Sequence, residues 1–544
     1  MRTLFLSILL MYSTWSCAQT QQRLTPEQKQ RLDEIATQDV PENAPGIATA
    51  IIQDGKIIYK KYAGLADLSD SSMIGESTRF NIASNGKQFT ALAVLSLIDS
   101  KDLKLSDDIR QWFPNLLPDL KSKITVQHLL NHTSGIRDFY DLMSLQGSTW
   151  WEKSFDNQDV LNLLVKQSGL NFEPGTKYLY SNSNYVLLAL LIEQVSQQSF
   201  VEYTNDMFRQ LNMPNTSFVD NAGKIRGPIA RSYFNFGTWT TYDWIWNACG
   251  DGNIFSTLED QIQWERLVQG KSETTFSRRI IDQSQQHIKG SKFTNYGYGL
   301  EFGEYKGMPF HFHEGATGAW KATVIRFPET NTSMITMTNT GKAIPFSQTR
   351  QMADVFFDLK SAEEYLVTKP ASVGPYVSED EVLGTYLTES DFAFTFEKRG
   401  GKVFLKRVGR GDIELEREAD NIFRQKYDPD FKQEFTTNSK GQLQVTVYYT
   451  THNPYSATKA GSLDDGFDFR QFNGEYLNAE TNTSIILRHI EGMNYEVKFR
   501  EDYVTKGLLV SGEKMLVDFY SLIFKDGSLM LNGDRIKQVQ YVKK

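Results

Sequence analysis

Two cysteines in 544 residues, Cys17 and Cys249, leave no basis for a disulfide framework or a thiolate metal site. After the first twenty residues no apolar run approaches the roughly 20 residues that cross a bilayer, so no membrane-spanning helix is expected. Basic residues are in deficit, 58 Lys and Arg against 66 Asp and Glu. The resulting net charge of −8 argues against a nucleic-acid or anionic-membrane surface. What remains is an ordinary globular composition, 40% apolar and 13% aromatic, in a chain too long for one core. Two or three domains are therefore expected.

The N-terminus stands apart. Arg2 precedes an apolar run from Leu4 to Tyr12, followed by the small residues Ser16, Cys17 and Ala18. That pattern reads as a secretory leader over residues 1–18, cleaved after Ala18, and implies a periplasmic or secreted protein. Lipidation of Cys17 is the alternative, although Thr14 and Trp15 fit a lipoprotein box poorly. Cleavage would leave Cys249 alone, with no intrachain disulfide possible. A lone cysteine usually behaves as a small buried hydrophobe.

Thr25-Pro26-Glu27-Gln28 has the N-cap, N1 proline and capping-box glutamine of a helix start. Residues 47–62 alternate around Asp54-Gly55, a β-hairpin signal. From residue 84 to about 200 the pattern is mainly helical, with an almost wholly apolar stretch at 185–192. Strand-like segments return at 296–302, 310–313 and 322–326. These predict an α/β domain with an antiparallel sheet flanked by helices over residues 26–365. Residues 366–379, with Pro370, Gly374 and Pro375, read as a linker. Beyond it the period is two. Gly384-Thr385-Tyr386-Leu387 and Gly474-Glu475-Tyr476-Leu477 each open a strand-rich stretch, suggesting two related all-β modules, 380–465 and 468–544.

The chemistry points to Ser84-Asn85-Gly86-Lys87. At i and i+3 a hydroxyl and an amine share a helix face, and a desolvated lysine can take a serine's proton. The same spacing at Ser456/Lys459 and Ser511/Lys514 falls in β-like segments, where the two side chains point to opposite faces. Only Ser84 heads an apolar helix, whose free amides and dipole suit a developing oxyanion. A serine N-cap beside a solvated lysine is the other reading of these four residues.

Further stretches bear on that choice: His128-Leu129-Leu130-Asn131-His132-Thr133-Ser134-Gly135, Tyr178-Leu179-Tyr180-Ser181-Asn182, and His311-Phe312-His313-Glu314-Gly315-Ala316. With Ser84-x-x-Lys87 they resemble the serine β-lactamase and penicillin-binding superfamily. The likeness covers residues 30–360 and is greatest to its class C β-lactamase, esterase and D-aminopeptidase branch, the S12 peptidases. The resemblance implies Ser84 as acylated nucleophile, Lys87 as partner in its deprotonation, and Tyr180 as proton relay. It gives Asn182 the substrate's acyl-side amide and places His313 and Gly315 on the edge strand of the site. The amides of Ser84 and Ala316 would form the oxyanion hole. Gly250-Asp251-Gly252-Asn253 resembles the family's glycine-rich loop, and some members carry two lipocalin-like β modules after the catalytic domain.

Other readings of these residues stay open. Tyr-x-Asn also occurs at Tyr203, Tyr233 and Tyr476, and Asn184 stands close to Asn182. His311 and His313 share a strand face but lack a third ligand at metal spacing, so neither metal nor other cofactor is expected. Trp150, Trp151, Tyr233, Phe234, Trp239, Trp244 and Trp246 could wall a pocket or fill a core. Histidine at 313, where dedicated β-lactamases carry lysine, is a weak anchor for a carboxylate at neutral pH. The expectation is an exported serine hydrolase of D-amino-acid peptides, amides or esters. The alternatives are a carboxylesterase or weak β-lactamase, or a penicillin-binding sensor that is acylated without turnover.

Overall fold

The computed structural model describes residues 23–148, 151–225, 227–359, 374–389, 393–406, 411–427, 431–448, 454–461, 463 and 466–544. Residues 1–22, which include the expected leader with Cys17, lie outside them, as do Trp150 and residues 366–373 of the expected linker.

A six-stranded antiparallel sheet organises the first domain, in the order Glu301–Tyr305, Met308–Thr317, Trp320–Phe327, Thr332–Thr338, Ile47–Gln53, Lys56–Ala63. The Asp54-Gly55 hairpin is present: both residues take positive φ, 49° and 75°, as a two-residue turn requires. The expected strand at 296–302 starts later, at Glu301, and Tyr296 contributes only a bridge to Glu301. The cause is Gly299, with φ 74°, which passes so close to the Lys87 backbone that a Cβ there would stand 2.5 Å from it.

One sheet face is covered by helices Pro26–Thr37 and Pro345–Phe357, through Leu32, Ile51, Phe327, Met352 and Phe356. The capping box read at Thr25 and Gln28 forms as expected. The other face meets the main core, centred on helix Lys87–Asp99, which is buried along nearly its whole length. Phe89 packs between Phe208 and Trp264 with ring centroids 5.3 Å away on each side. Helix Asn182–Ser196, also buried for most of its length, lies against it. Such all-round apolar surfaces are what interior helices require.

Each C-terminal module is a closed eight-stranded antiparallel barrel, running from Gly384–Thr388 to Tyr455–Lys459 and from Gly474–Asn478 to Val539–Lys543. The short sequence repeat has a structural counterpart. Tyr386 and Tyr476 are buried at equivalent places, and each hydroxyl donates to the carbonyl four residues back, Val382 at 3.1 Å and Phe472 at 3.0 Å. Each tyrosine also pairs across the barrel seam with a lysine, Lys459 or Lys543. The first barrel has its own core. That of the second is continuous with the main core of the first domain, so this barrel is fastened to it.

Candidate active site

Ser84 lies in the 3₁₀ turn Ala83–Gly86, which runs directly into helix Lys87–Asp99. Ala83 N donates to Asn81 Oδ1 at 2.9 Å, and Asn85 Nδ2 donates to Ala322 O at 3.0 Å, so turn and sheet are tied together. Ala83 has φ 48°, a left-handed value that a residue with a Cβ adopts only under constraint. Lys87 is fully buried. Its Nζ donates to Ser84 Oγ at 2.9 Å, Asn182 Oδ1 at 2.9 Å and Asp251 O at 2.5 Å, which uses all three ammonium protons. Burial pushes the amine down to about 8, against the pull of Asp251 and Asp138, so a neutral amine facing Ser84 is accessible at mildly alkaline pH. Of the other two Ser-x-x-Lys matches, Ser456 and Lys459 lie in one strand, as their period implied, whereas Ser511 and Lys514 do not point to opposite faces but pair with each other across a hairpin.

Asn182 opens its helix, and its orientation is set by a residue the sequence reading passed over. Asp138 Oδ2 accepts from Asn182 N at 2.6 Å and from Asn182 Nδ2 at 2.9 Å, leaving Oδ1 aimed at Lys87. A flipped amide would set two oxygens against each other. Asp138 Oδ1 meanwhile caps its own helix Phe139–Leu145 through Tyr140 N at 3.0 Å. One buried carboxylate thus ends two helices. Its sequence signal was only that of an N-cap. Asn184 is not an alternative to Asn182: it bonds Ser134 Oγ at 2.6 Å and His132 Nδ1 at 3.1 Å, supporting the loop after residue 131.

The Tyr180 ring lies over Lys87, with Nζ 5.0 Å from its centroid, and against His132 at 4.3 Å. Burial raises this phenol well above its usual range, and its hydrogen bond with Ser84 lowers it only in part. A nearby ammonium such as that of Lys87 favours a phenolate. Desolvation prevails here, so the resting phenol is a proton donor and the amine is the better base. His313 is buried behind Tyr180, 6.2 Å between rings. Its Nδ1 meets Glu314 O at 2.7 Å and must carry the proton; Nε2 then accepts from Tyr296 OH at 2.9 Å. Both nitrogens are engaged, and burial together with Lys87 holds the imidazole down at about 3, hence neutral. It shapes the wall and presents no cation.

A family profile described as Beta-lactamase matches residues 32–356, well over half of the chain. The chain belongs to the beta-lactamase family. It is 28% identical over 317 residues to a D-aminopeptidase of Brucella anthropi, covering 56% of this chain and 58% of that one. It is 34% identical over 207 residues to protein flp of Staphylococcus aureus, covering 37% and 40%. The chain therefore spans less than two thirds of the length of either relative. Among solved structures, an octameric penicillin-binding protein homologue from Pyrococcus abyssi superposes with a TM-score of 0.55 at 22% identity, over 79% of this chain and 99% of that one.

In this beta-lactamase-family domain, strand Met308–Thr317 runs past the serine turn. A Cβ on Gly315 would stand 2.3 Å from Ile82 O and 3.0 Å from Ser84 N, so only glycine permits the approach. The neighbouring strand pairs only as far as Phe312, which leaves residues 313–317 open along that edge, with Ala316 exposed. The Gly250–Asn253 loop packs on the other side: Thr90 Oγ1 donates to Gly250 O at 2.7 Å, and Asp251 O holds Lys87. Asp251, not singled out as a site residue from sequence, bonds Tyr140 OH at 3.0 Å, and Tyr140 stacks on Trp246. Trp246 and Tyr233 are core or support residues, and Trp151 is exposed. Cys249 is buried, and burial raises its thiol, which suits a packing role. Among the described residues no group of three or more His, Cys, Asp or Glu gathers for a metal, and no helix is long and apolar enough to cross a membrane.

Proposed function

We propose that the chain is an exported serine hydrolase acting through an acyl-enzyme on D-amino-acid amides, peptides or esters. The observation that carries this reading is the buried Lys87 amine, held on three sides with Ser84 Oγ 2.9 Å away. In acylation the Ser84 Oγ–carbonyl bond forms as the hydroxyl proton passes to Lys87 Nζ. The amides of Ser84 and Ala316 receive the oxyanion. Tyr180 then hands its proton to the leaving amine or alkoxide, recovering it from Lys87, and water later cleaves the ester by the same route in reverse. Support for a D-amino-acid substrate comes from the Brucella anthropi D-aminopeptidase. It also comes from position 313, whose neutral imidazole gives no cation for a β-lactam carboxylate.

Initial rates on D-alanyl p-nitroanilide, its L enantiomer, p-nitrophenyl acetate and nitrocefin test the reading. Turnover of the D-anilide at least tenfold above the L form and above nitrocefin is expected, since one misplaced substituent costs on the order of 1–3 kcal/mol in a fitted pocket. Preference for the L form would overturn the substrate class. Stoichiometric acylation without release would instead favour the sensor reading.

A further inference from the structure

The site described so far lies in the first domain, yet one of its charges comes from the far end of the chain. Between strands Ser528–Asn532 and Val539–Lys543 the second barrel sends a short loop against residues 137–141. We propose that Arg535 in this loop is a positioning residue of the hydrolase site, acting through Asp138 and Asn182 on the setting of Lys87. The proposal rests on the serine–lysine reading above and adds to it a part for the C-terminal barrel.

The loop is pinned through its backbone on both sides. Asp138 N and Asn171 Nδ2 donate to Arg535 O at 3.2 and 2.9 Å, and Arg535 N donates to Asp141 Oδ2 at 2.8 Å. Lys537 N donates to Asn171 Oδ1 at 2.6 Å. Arg137 returns the grip, donating to Lys537 O at 3.1 Å and Gln538 O at 2.7 Å and pairing with Glu480 at 2.8 Å. On this fixed base the Arg535 guanidinium reaches Asp141 Oδ1 at 2.9 Å and Asp138 Oδ2 at 3.4 Å. The latter oxygen is the one that orients Asn182, whose Oδ1 takes Lys87 Nζ. Three contacts therefore link a barrel cation to the lysine.

Two consequences follow from charge. Burial, and after it the neighbouring Asp138 charge, raise Asp141, and Arg535 is the cation that pairs with both carboxylates. Its positive charge also opposes protonation of Lys87. The other groups facing that amine are Asp251 and Asp138, which favour the ammonium, the uncharged rings of Tyr180 and Tyr185, and neutral His132 and His313. Without Arg535, the Asp138 charge acts on Lys87 with its opposing cation gone, and the lysine's proton is harder to remove.

The test is the pH dependence of kcat/KM on a p-nitrophenyl ester, measured on the full chain. In Arg535→Met the acid limb should move up by about one pH unit, so that rates below the limb fall about tenfold. Arg535→Lys should recover most of the shift. Asp141→Asn, which removes a negative charge from the same cluster, should move the limb down. Shifts of opposite sign are not what loss of folding produces, and thermal melting confirms that each variant is folded. An unchanged limb in folded Arg535→Met, or shifts of the same sign in Arg535→Met and Asp141→Asn, would overturn the inference while leaving the serine–lysine reading intact. An inactive wild-type chain would overturn both.

Discussion

Replacing Lys87 with alanine is expected to lower kcat/KM by about 10²–10⁴-fold, the usual worth of a positioned general base. The variant should stay folded, because a lysine buried away from water costs more to desolvate than alanine. In the wild-type chain the rate should rise with pH through a limb near 8, where the ammonium gives up the proton that prevents it from accepting one from Ser84. That limb should disappear in Lys87→Ala, whose residual rate reflects the oxyanion amides and binding alone. Stopped-flow acylation rates between pH 6 and 10 read both effects. A variant with near wild-type rates and the same limb would assign the base elsewhere.

The second large effect concerns stability. Behind the serine helix, Arg326 donates to both oxygens of Glu265 at 2.7 Å and to Gln88 Oε1 at 2.8 Å, while Trp264 Nε1 donates to the same Gln88 oxygen at 2.7 Å. Glu265 is fully buried and Arg326 nearly so. Removing one partner leaves the other charged in an apolar core, so Arg326→Met should cost about 3–5 kcal/mol. Replacing both, as Arg326→Met with Glu265→Leu, should recover most of the loss. Urea unfolding midpoints distinguish the cases. Because Gln88 adjoins Lys87, the single variant should also lose activity before it unfolds. A single-variant cost below about 1 kcal/mol would mean that water reaches the pair.

Short-range signals translated well into structure. Asp54-Gly55 makes its hairpin, Thr25 and Gln28 make their box, and Ser84 and Lys87 meet at the head of a buried helix. The repeated Gly-x-Tyr-Leu pointed to two related β modules, and in each the tyrosine buries its ring while its hydroxyl reaches a carbonyl. The residues that tune the amine were harder to see. Asp138 looks like any N-cap, Asp251 contributes mainly a backbone oxygen, and Arg535 acts from some 450 positions beyond Ser84. Their roles are long-range contacts that no local pattern encodes. The direction of the Tyr180 shift is illegible in the sequence for a related reason: a motif names the lysine nearby, while the degree of burial is a property of the packed site.

Mapping a covalent adduct tests the central claim most directly. After treatment with a fluorophosphonate at pH 8, intact-mass measurement should show one adduct per chain, and peptide mapping should place it on Ser84. The Ser84→Ala chain should show none. A full-stoichiometry adduct that persists in Ser84→Ala, or maps to Ser456, Ser511 or Cys249, would contradict the assignment of Ser84 as nucleophile.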